Sequence, residues 1–249
     1  MGAVVLYNMN MRYFLFALLL GLCGCATLQI PAEYTYEEIS TPAFTLAVWA
    51  KDTNPQAPVH IYVEGDGAAF TKSGFPASNP TPTSTLMRKK AFEDSAANVA
   101  YIARPCQFVE DAICTPKDWT TDRFSAKAVA SLAEAIQKVV GSREVVIYAY
   151  SGGALLSGLV IENYPEIHVQ RWITYAGLLQ HKTWTSYMKL EPLSGSMDLE
   201  TLPNVPQTHY AGGKDKVIPV RLSVQWTWNQ NLVILPNATH KGPFEASEK

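Results

Sequence analysis

Short apolar runs alternate with helical hydrophobic patterns along most of this chain. Runs of about four to eight apolar residues between turn residues are typical of strands, whereas apolar residues at helical spacing indicate helices. The clearest helical pattern covers about 124–140 and ends before Gly141. Helices are also predicted over 84–94 and over 152–164, where Pro165 stops the second. The predicted strands are 34–39, 44–50, 59–63, 98–103, 144–148, 169–175, 207–211 and 232–235.

This alternation predicts an α/β protein. An initial hairpin followed by strands that alternate with helices implies a mostly parallel eight-stranded sheet flanked by helices. Apolar residues make up 47% of the chain, enough to fill one large core. The region rich in Pro, Ser and Thr at 76–84 is interpreted as a surface loop, and 180–204 as a short lid-like insertion after the sixth strand. We therefore predict a single domain over 25–249.

The charge distribution argues against nucleic acid as a partner. Twenty basic residues stand against 22 acidic ones, for a net charge of -2, and no basic cluster exceeds Arg88-Lys89-Lys90. A nucleic-acid-binding surface needs a larger positive patch.

The most informative motif is Ala149-Tyr150-Ser151-Gly152-Gly153, which directly follows the predicted fifth strand. A nucleophilic serine on a tight turn between strand and helix needs very small residues two positions to either side. Ala149 and Gly153 meet this demand. The helix that follows would aim its first backbone N–H groups at the serine.

Two later motifs complete an ordered set. A predicted strand runs into Ala211-Gly212-Gly213-Lys214-Asp215, and the last strand is followed by Pro236-Asn237-Ala238-Thr239-His240. A serine hydroxyl is a poor nucleophile until a base takes its proton, and the resulting imidazolium needs a carboxylate partner. Along the chain, the candidate serine comes first, the aspartate second and the histidine third.

With these motifs the chain resembles the α/β-hydrolase superfamily of serine hydrolases, over nearly all of its length after residue 30. Members carry nucleophile, acid and histidine in this order on loops after sheet strands. The resemblance implies the α/β-hydrolase fold, with Ser151 as nucleophile, His240 as general base and Asp215 as the acid that orients the imidazole.

The resemblance also implies an oxyanion hole. The third predicted strand opens into Glu64-Gly65-Asp66-Gly67, where the family usually carries His-Gly and supplies one backbone N–H. The implied donors are the N–H of Gly152 and that of Asp66 or a neighbour in its loop. Glu64 replaces the usual histidine, which leaves the donor in this loop open.

Other residues compete for two of these roles. Asp215 has Asp198 as a rival, although Asp198 follows no predicted strand, and a solvated turn aspartate is the plain alternative for Asp215 itself. Among the other histidines, His60 and His209 lie in or beside strand runs and are interpreted as packed or hydrogen-bonded. The remaining two, His168 and His181, are interpreted as surface or loop residues.

The amino terminus resembles a bacterial lipoprotein signal. An apolar stretch over 13–22 follows Arg12 and ends in Leu22-Cys23-Gly24-Cys25. Leu22 and Gly24 fit the family's positions before the cleavage site, which implies a signal peptide over 1–24 and a lipid on Cys25. A simple secretory signal or a signal anchor is the alternative. The lipid implies attachment to the bacterial cell envelope, with the periplasmic face of the outer membrane favoured.

With Cys23 removed and Cys25 acylated, Cys106 and Cys114 remain as a pair. A disulfide across this short loop is predicted, because the implied compartment is oxidising. Two free thiols are the alternative. A metal site is disfavoured, because two cysteines without nearby histidines do not fill a tetrahedral shell, and we predict no cofactor.

Two segments are expected to border the active-site mouth. Residues 68–84 carry Phe70 and Phe75, and residues 180–204 carry several large side chains; these are Trp184, Tyr187, Met188 and Leu193. Their side chains either line a pocket for an acyl or aryl group or pack the loops themselves.

The sequence thus predicts a lipid-anchored serine hydrolase that cleaves a small-molecule or lipid ester through an acyl-enzyme. The segment Arg104-Pro105-Cys106-Gln107, with Cys114, Trp119 and Arg123-Phe124, also resembles a subgroup of bacterial α/β-hydrolase lipoproteins without an assigned substrate. An acyltransferase or thioesterase with the same nucleophile is the enzymatic alternative. A non-catalytic envelope lipoprotein is the alternative of another class.

Overall fold

A computed structural model describes residues 28–227 and 231–245 of the chain. The predicted signal peptide and the proposed lipidation site at Cys25 lie outside these residues. Within them, no helix combines the length and the hydrophobicity that a membrane crossing requires.

Eight strands form one sheet, and each predicted strand is present with the same or nearly the same bounds. The strands are β1 Thr35–Ser40, β2 Thr45–Asp52, β3 Val59–Val63, β4 Asn98–Ile102, β5 Val145–Tyr150, β6 Val169–Tyr175, β7 Gln207–Gly212 and β8 Leu232–Leu235. They are ordered β1-β2-β4-β3-β5-β6-β7-β8. Only β2 runs against its neighbours, and all other neighbouring pairs from β4 to β8 are parallel. The predicted mostly parallel sheet is confirmed.

Six helices accompany the sheet in the described part of the chain. They are α1 Leu86–Phe92, α2 Pro116–Trp119, α3 Ala126–Val140, α4 Gly152–Asn163, α5 His181–Met188 and α6 Val220–Trp226. The three predicted helices correspond to α1, α3 and α4. The other three have four to eight residues each and were not predicted. Helix α5 lies in the segment interpreted as a lid-like insertion, whose action as a lid stays a prediction.

The two faces of the sheet are covered differently. Helices α3 and α4 pack on one face around a large, mostly aliphatic core that includes Leu132 and Leu155 and also contains Trp172. Helix α4 is buried along most of its length, which explains its apolar composition. Helix α1 covers part of the other face, where the core is rich in aromatic side chains such as Tyr62 and Tyr101.

The parallel strands bring the candidate residues to one edge. Their carboxyl ends point the same way, so the loops that follow β3, β4, β5, β7 and β8 meet at this edge. The loop after β4 contains the predicted disulfide between Cys106 and Cys114.

Candidate active site

Ser151 occupies the tight turn that the sequence predicts. It lies between the end of β5 and the start of α4, with a φ of 51°. Residues other than glycine rarely adopt this backbone conformation. Two residues on, a Cβ atom at Gly153 would lie 2.4 Å from the carbonyl oxygen of Glu64. Only glycine fits there, which confirms the steric reason for the motif.

Three predicted residues form one hydrogen-bonded series. His240 Nε2 lies 3.0 Å from Ser151 Oγ, and His240 Nδ1 lies 2.8 Å from Asp215 Oδ2. An ionised carboxylate only accepts hydrogen bonds, so Nδ1 carries the proton and Nε2 accepts from the serine. This is the arrangement in which histidine can take the serine proton.

The acid and the histidine are both held in place by contacts to the backbone. The side chain of Asp215 is fully buried, and its Oδ1 accepts the backbone N–H groups of Val217 and Ile218 at 2.8 and 2.9 Å. The hydroxyl of Tyr150 donates to the carbonyl oxygen of His240 at 3.0 Å. The acid and the base are therefore oriented by backbone contacts as well as by each other.

The competing residues have other partners. Asp198 accepts the backbone N–H groups of His181 and Lys182 at 2.9 and 3.0 Å, so it caps the start of α5. The interpretation of His181 as a surface or loop residue is wrong: it is buried in the first turn of α5 and stacks on Phe124. Burial lowers the pKa of its imidazole.

The remaining histidines lie away from this edge. His60 contacts Asp94 at 2.6 Å, and His209 lies between Thr174 and Gln207 at 2.8 Å from each. Burial lowers the pKa of His209 to about 4. The interpretation of both as hydrogen-bonded strand residues is confirmed.

The loop after β3 leaves few backbone donors free. The N–H of Gly65 donates to the carboxylate of Glu64, and the N–H of Ala68 donates to the carbonyl of Pro80. Among the described residues, the N–H groups of Asp66, Gly67 and Gly152 have no hydrogen-bond acceptor. The predicted donors Asp66 and Gly152 are thus available, and their role in an oxyanion hole stays a prediction.

Comparisons with known proteins find matches by structure alone. No family model and no curated protein matches this chain. An α/β serine hydrolase without a lid from Xanthomonas campestris is 14% identical, with a TM-score of 0.54, over 86% of this chain and 89% of its own. Est1E from Butyrivibrio proteoclasticus, solved with ferulic acid bound, is 13% identical, with a TM-score of 0.59, over 83% of this chain and 92% of its own. This chain has the α/β-hydrolase fold.

A larger protein contains the same fold as one part. Acylaminoacyl peptidase from Pyrococcus horikoshii matches 84% of this chain at 14% identity with a TM-score of 0.57, and the match covers 37% of the peptidase. At such identities the likeness shows the α/β-hydrolase fold and leaves the activity to be argued from the site.

Sequence reasoning missed a buried ionic cluster beside the serine of this α/β-hydrolase fold. The carboxylate of Asp66 pairs with the guanidinium groups of Arg104 and Arg123. Burial alone would raise the pKa of Asp66, but the two guanidinium groups outweigh it and lower that pKa. The sequence held one indication of this cluster, since Asp66 follows β3 and Arg104 follows β4, and these two parallel strands are neighbours in the sheet.

A cavity of about 840 Å³ opens at Ser151 and His240. Of the side chains that the sequence places near the mouth, Phe70, Trp184 and Leu193 line it, whereas Phe75, Tyr187 and Met188 do not. Much of the remaining wall is apolar, from Ala69, Pro76, Pro82, Leu178, Leu190, Pro192, Val217 and Ile218. Within residues 28–227 and 231–245, no group of acidic, histidine and cysteine side chains is placed to hold a metal ion.

Proposed function

We propose that this protein is a serine hydrolase that cleaves a carboxylic ester through an acyl-enzyme on Ser151. The observation that carries the proposal is the hydrogen-bonded series from Ser151 through His240 to Asp215 at the mouth of the cavity. The likeness to esterases and other serine hydrolases of the same fold supports it.

In the proposed reaction, Ser151 Oγ attacks the ester carbonyl while His240 Nε2 takes its proton. The negative charge on the carbonyl oxygen is stabilised by the N–H of Gly152 and by that of Asp66 or Gly67. The imidazolium, balanced by Asp215, then protonates the leaving alcohol. Water, deprotonated by the same nitrogen, releases the carboxylic acid and restores Ser151.

The cavity supports a substrate with a sizeable apolar group. Its volume of about 840 Å³ is in the range of sites that enclose whole small molecules. Phe70, in the loop after β3, and Trp184, on α5, offer aromatic surface, and Leu193 offers aliphatic surface. An acyl chain of several carbons or an aromatic acyl group would remove this surface from water.

We expect the specificity constant to increase with acyl length. In a series of 4-nitrophenyl esters from acetate to octanoate, kcat/KM should rise at least about tenfold, since each buried methylene contributes about 0.8 kcal/mol. The measurement uses the full chain in detergent, with Ser151→Ala protein as the blank. Rates that are flat or fall with chain length would contradict an apolar acyl site, whereas transfer of the acyl group to an added alcohol would favour the acyltransferase alternative.

We further propose that the protein is held at the cell envelope by a lipid on Cys25. The support is the Leu22-Cys23-Gly24-Cys25 segment. In bacteria fed radiolabelled palmitate, Cys25→Ala should eliminate incorporation into the protein, whereas the neighbouring Cys23→Ala should leave it unchanged. Equal labelling of wild type and Cys25→Ala would refute the anchor.

A further inference from the structure

The ionic cluster of Asp66, Arg104 and Arg123 is buried beside the nucleophile. Arg104 Nη1 contacts Asp66 Oδ1, and Arg123 Nη1 donates to Asp66 Oδ2 at 2.9 Å. Both arginine side chains are almost completely buried, whereas Asp66 is partly open to the cavity. With one carboxylate and two guanidinium groups, the cluster carries a net charge of +1.

The carboxylate of this cluster lies against Gly152. A Cβ atom at Gly152 would lie 1.9 Å from Asp66 Oδ1 and 2.8 Å from Arg104 Nη1. The N–H of Gly152 is one of the proposed oxyanion donors, so the carboxylate lies close to the place where negative charge develops on the substrate. Unpaired, it would oppose that charge, because like charges repel strongly in a site with little water.

Further hydrogen bonds around the cluster hold the loop after β3, which carries the other proposed oxyanion donor. Gln107 Nε2 donates to the carbonyl of Gly65 at 3.0 Å, and Gln107 Oε1 accepts the N–H of Arg104. Arg104 Nη2 contacts the carbonyl oxygen of Arg123. The loops after β3 and β4 and the segment before α3 are therefore joined at Asp66.

We propose that Arg104 and Arg123 are positioning residues of the reaction, which neutralise Asp66 and hold its loop so that the oxyanion forms beside a net positive charge. This inference rests on the proposed function. The two arginines act through Asp66 and its backbone N–H, without contacting the reacting atoms.

A charge-compensation experiment tests this proposal. Arg123→Gln leaves Asp66 with one cation, so kcat for the neutral ester 4-nitrophenyl butyrate should fall about 10- to 100-fold with KM changed by less than about threefold. Adding Asp66→Asn restores the net charge of +1, and the double variant should recover to within about fivefold of wild type. The rate of fluorophosphonate labelling should follow kcat, because that adduct also places an oxygen in the oxyanion hole.

Other results would overturn the proposal. If Arg123 only stabilises the fold, Asp66→Asn will not restore kcat, and the melting temperature will fall in parallel with activity. If Arg123 instead binds an anionic substrate, Arg123→Gln will raise KM for the 4-nitrophenyl monoester of succinate and leave butyrate hydrolysis intact. A folded Arg123→Gln protein with wild-type kcat would also overturn it.

Two further measurements keep the test decisive. If Arg123→Gln does not fold, Arg104→Gln with and without Asp66→Asn is measured in its place, with the same expected loss and recovery.

Arg143→Gln is the matched control, because Arg143 forms a paired contact with Asp52 at the opposite edge of the sheet. A wild-type protein without labelling or hydrolysis would contradict the proposed function, whereas an active wild type with active Arg123→Gln contradicts only this inference.

Discussion

Replacing Ser151 by alanine is expected to abolish both ester hydrolysis and covalent labelling by a fluorophosphonate probe. Loss of the nucleophile in a serine hydrolase removes on the order of six decades of turnover. The backbone turn is kept, because the strain at φ 51° is the same for serine and alanine. The measurement is in-gel fluorescence of the labelled protein together with the hydrolysis rate of a 4-nitrophenyl ester.

Ser84 provides the matched control. It lines the same cavity, and its hydroxyl accepts the N–H of Leu86, outside the series that joins Ser151 to His240. Ser84→Ala should therefore be labelled like the wild type. Labelling that persists in Ser151→Ala, with the probe mapped to another residue, would show that the nucleophile is wrongly assigned.

Replacing Asp215 by asparagine is expected to reduce kcat by about two to four decades. The asparagine oxygen can keep the bonds from Val217 and Ile218, which directs its NH₂ group at His240. The imidazole Nδ1 must then accept, so Nε2 carries the proton and does not take one from Ser151. The folded structure should be retained, because both backbone bonds remain, and circular dichroism with a melting curve checks this.

Asp198→Asn is the control for this prediction. Asp198 accepts the N–H groups of His181 and Lys182 with its two oxygens, and asparagine keeps an acceptor for one of them. The change therefore weakens the cap of α5 and leaves the contacts among Ser151, His240 and Asp215 untouched. Its kcat should stay close to that of the wild type. If Asp198→Asn were the crippling change and Asp215→Asn the silent one, the acid would come from the segment after β6.

Elements with strong local patterns were predictable from the sequence. Each strand is a short apolar run between turn residues, and α3 and α4 present apolar residues over several turns, so local composition was sufficient. The steric demand at Gly153 is equally local, since a nucleophile on a tight turn restricts its neighbours in sequence. The short helices α2, α5 and α6 were missed.

The candidate site was predictable as far as its residues follow strands. Ser151, Asp215 and His240 each come after a strand, and parallel strands bring such positions to one edge of the sheet. His181 shows where this reasoning fails. Its burial depends on packing against Phe124, a residue distant in the chain, and nothing in its own neighbourhood indicates that contact.

The sequence by itself determined the mostly parallel sheet and the order of serine, aspartate and histidine, because both depend on hydrophobic periodicity and on turn residues close in the chain. Only the tertiary structure decided that His240 reaches both Ser151 and Asp215, and that Asp66 pairs with Arg104 and Arg123. These contacts join separate loops. Their formation depends on strand order and loop packing, which local sequence does not specify.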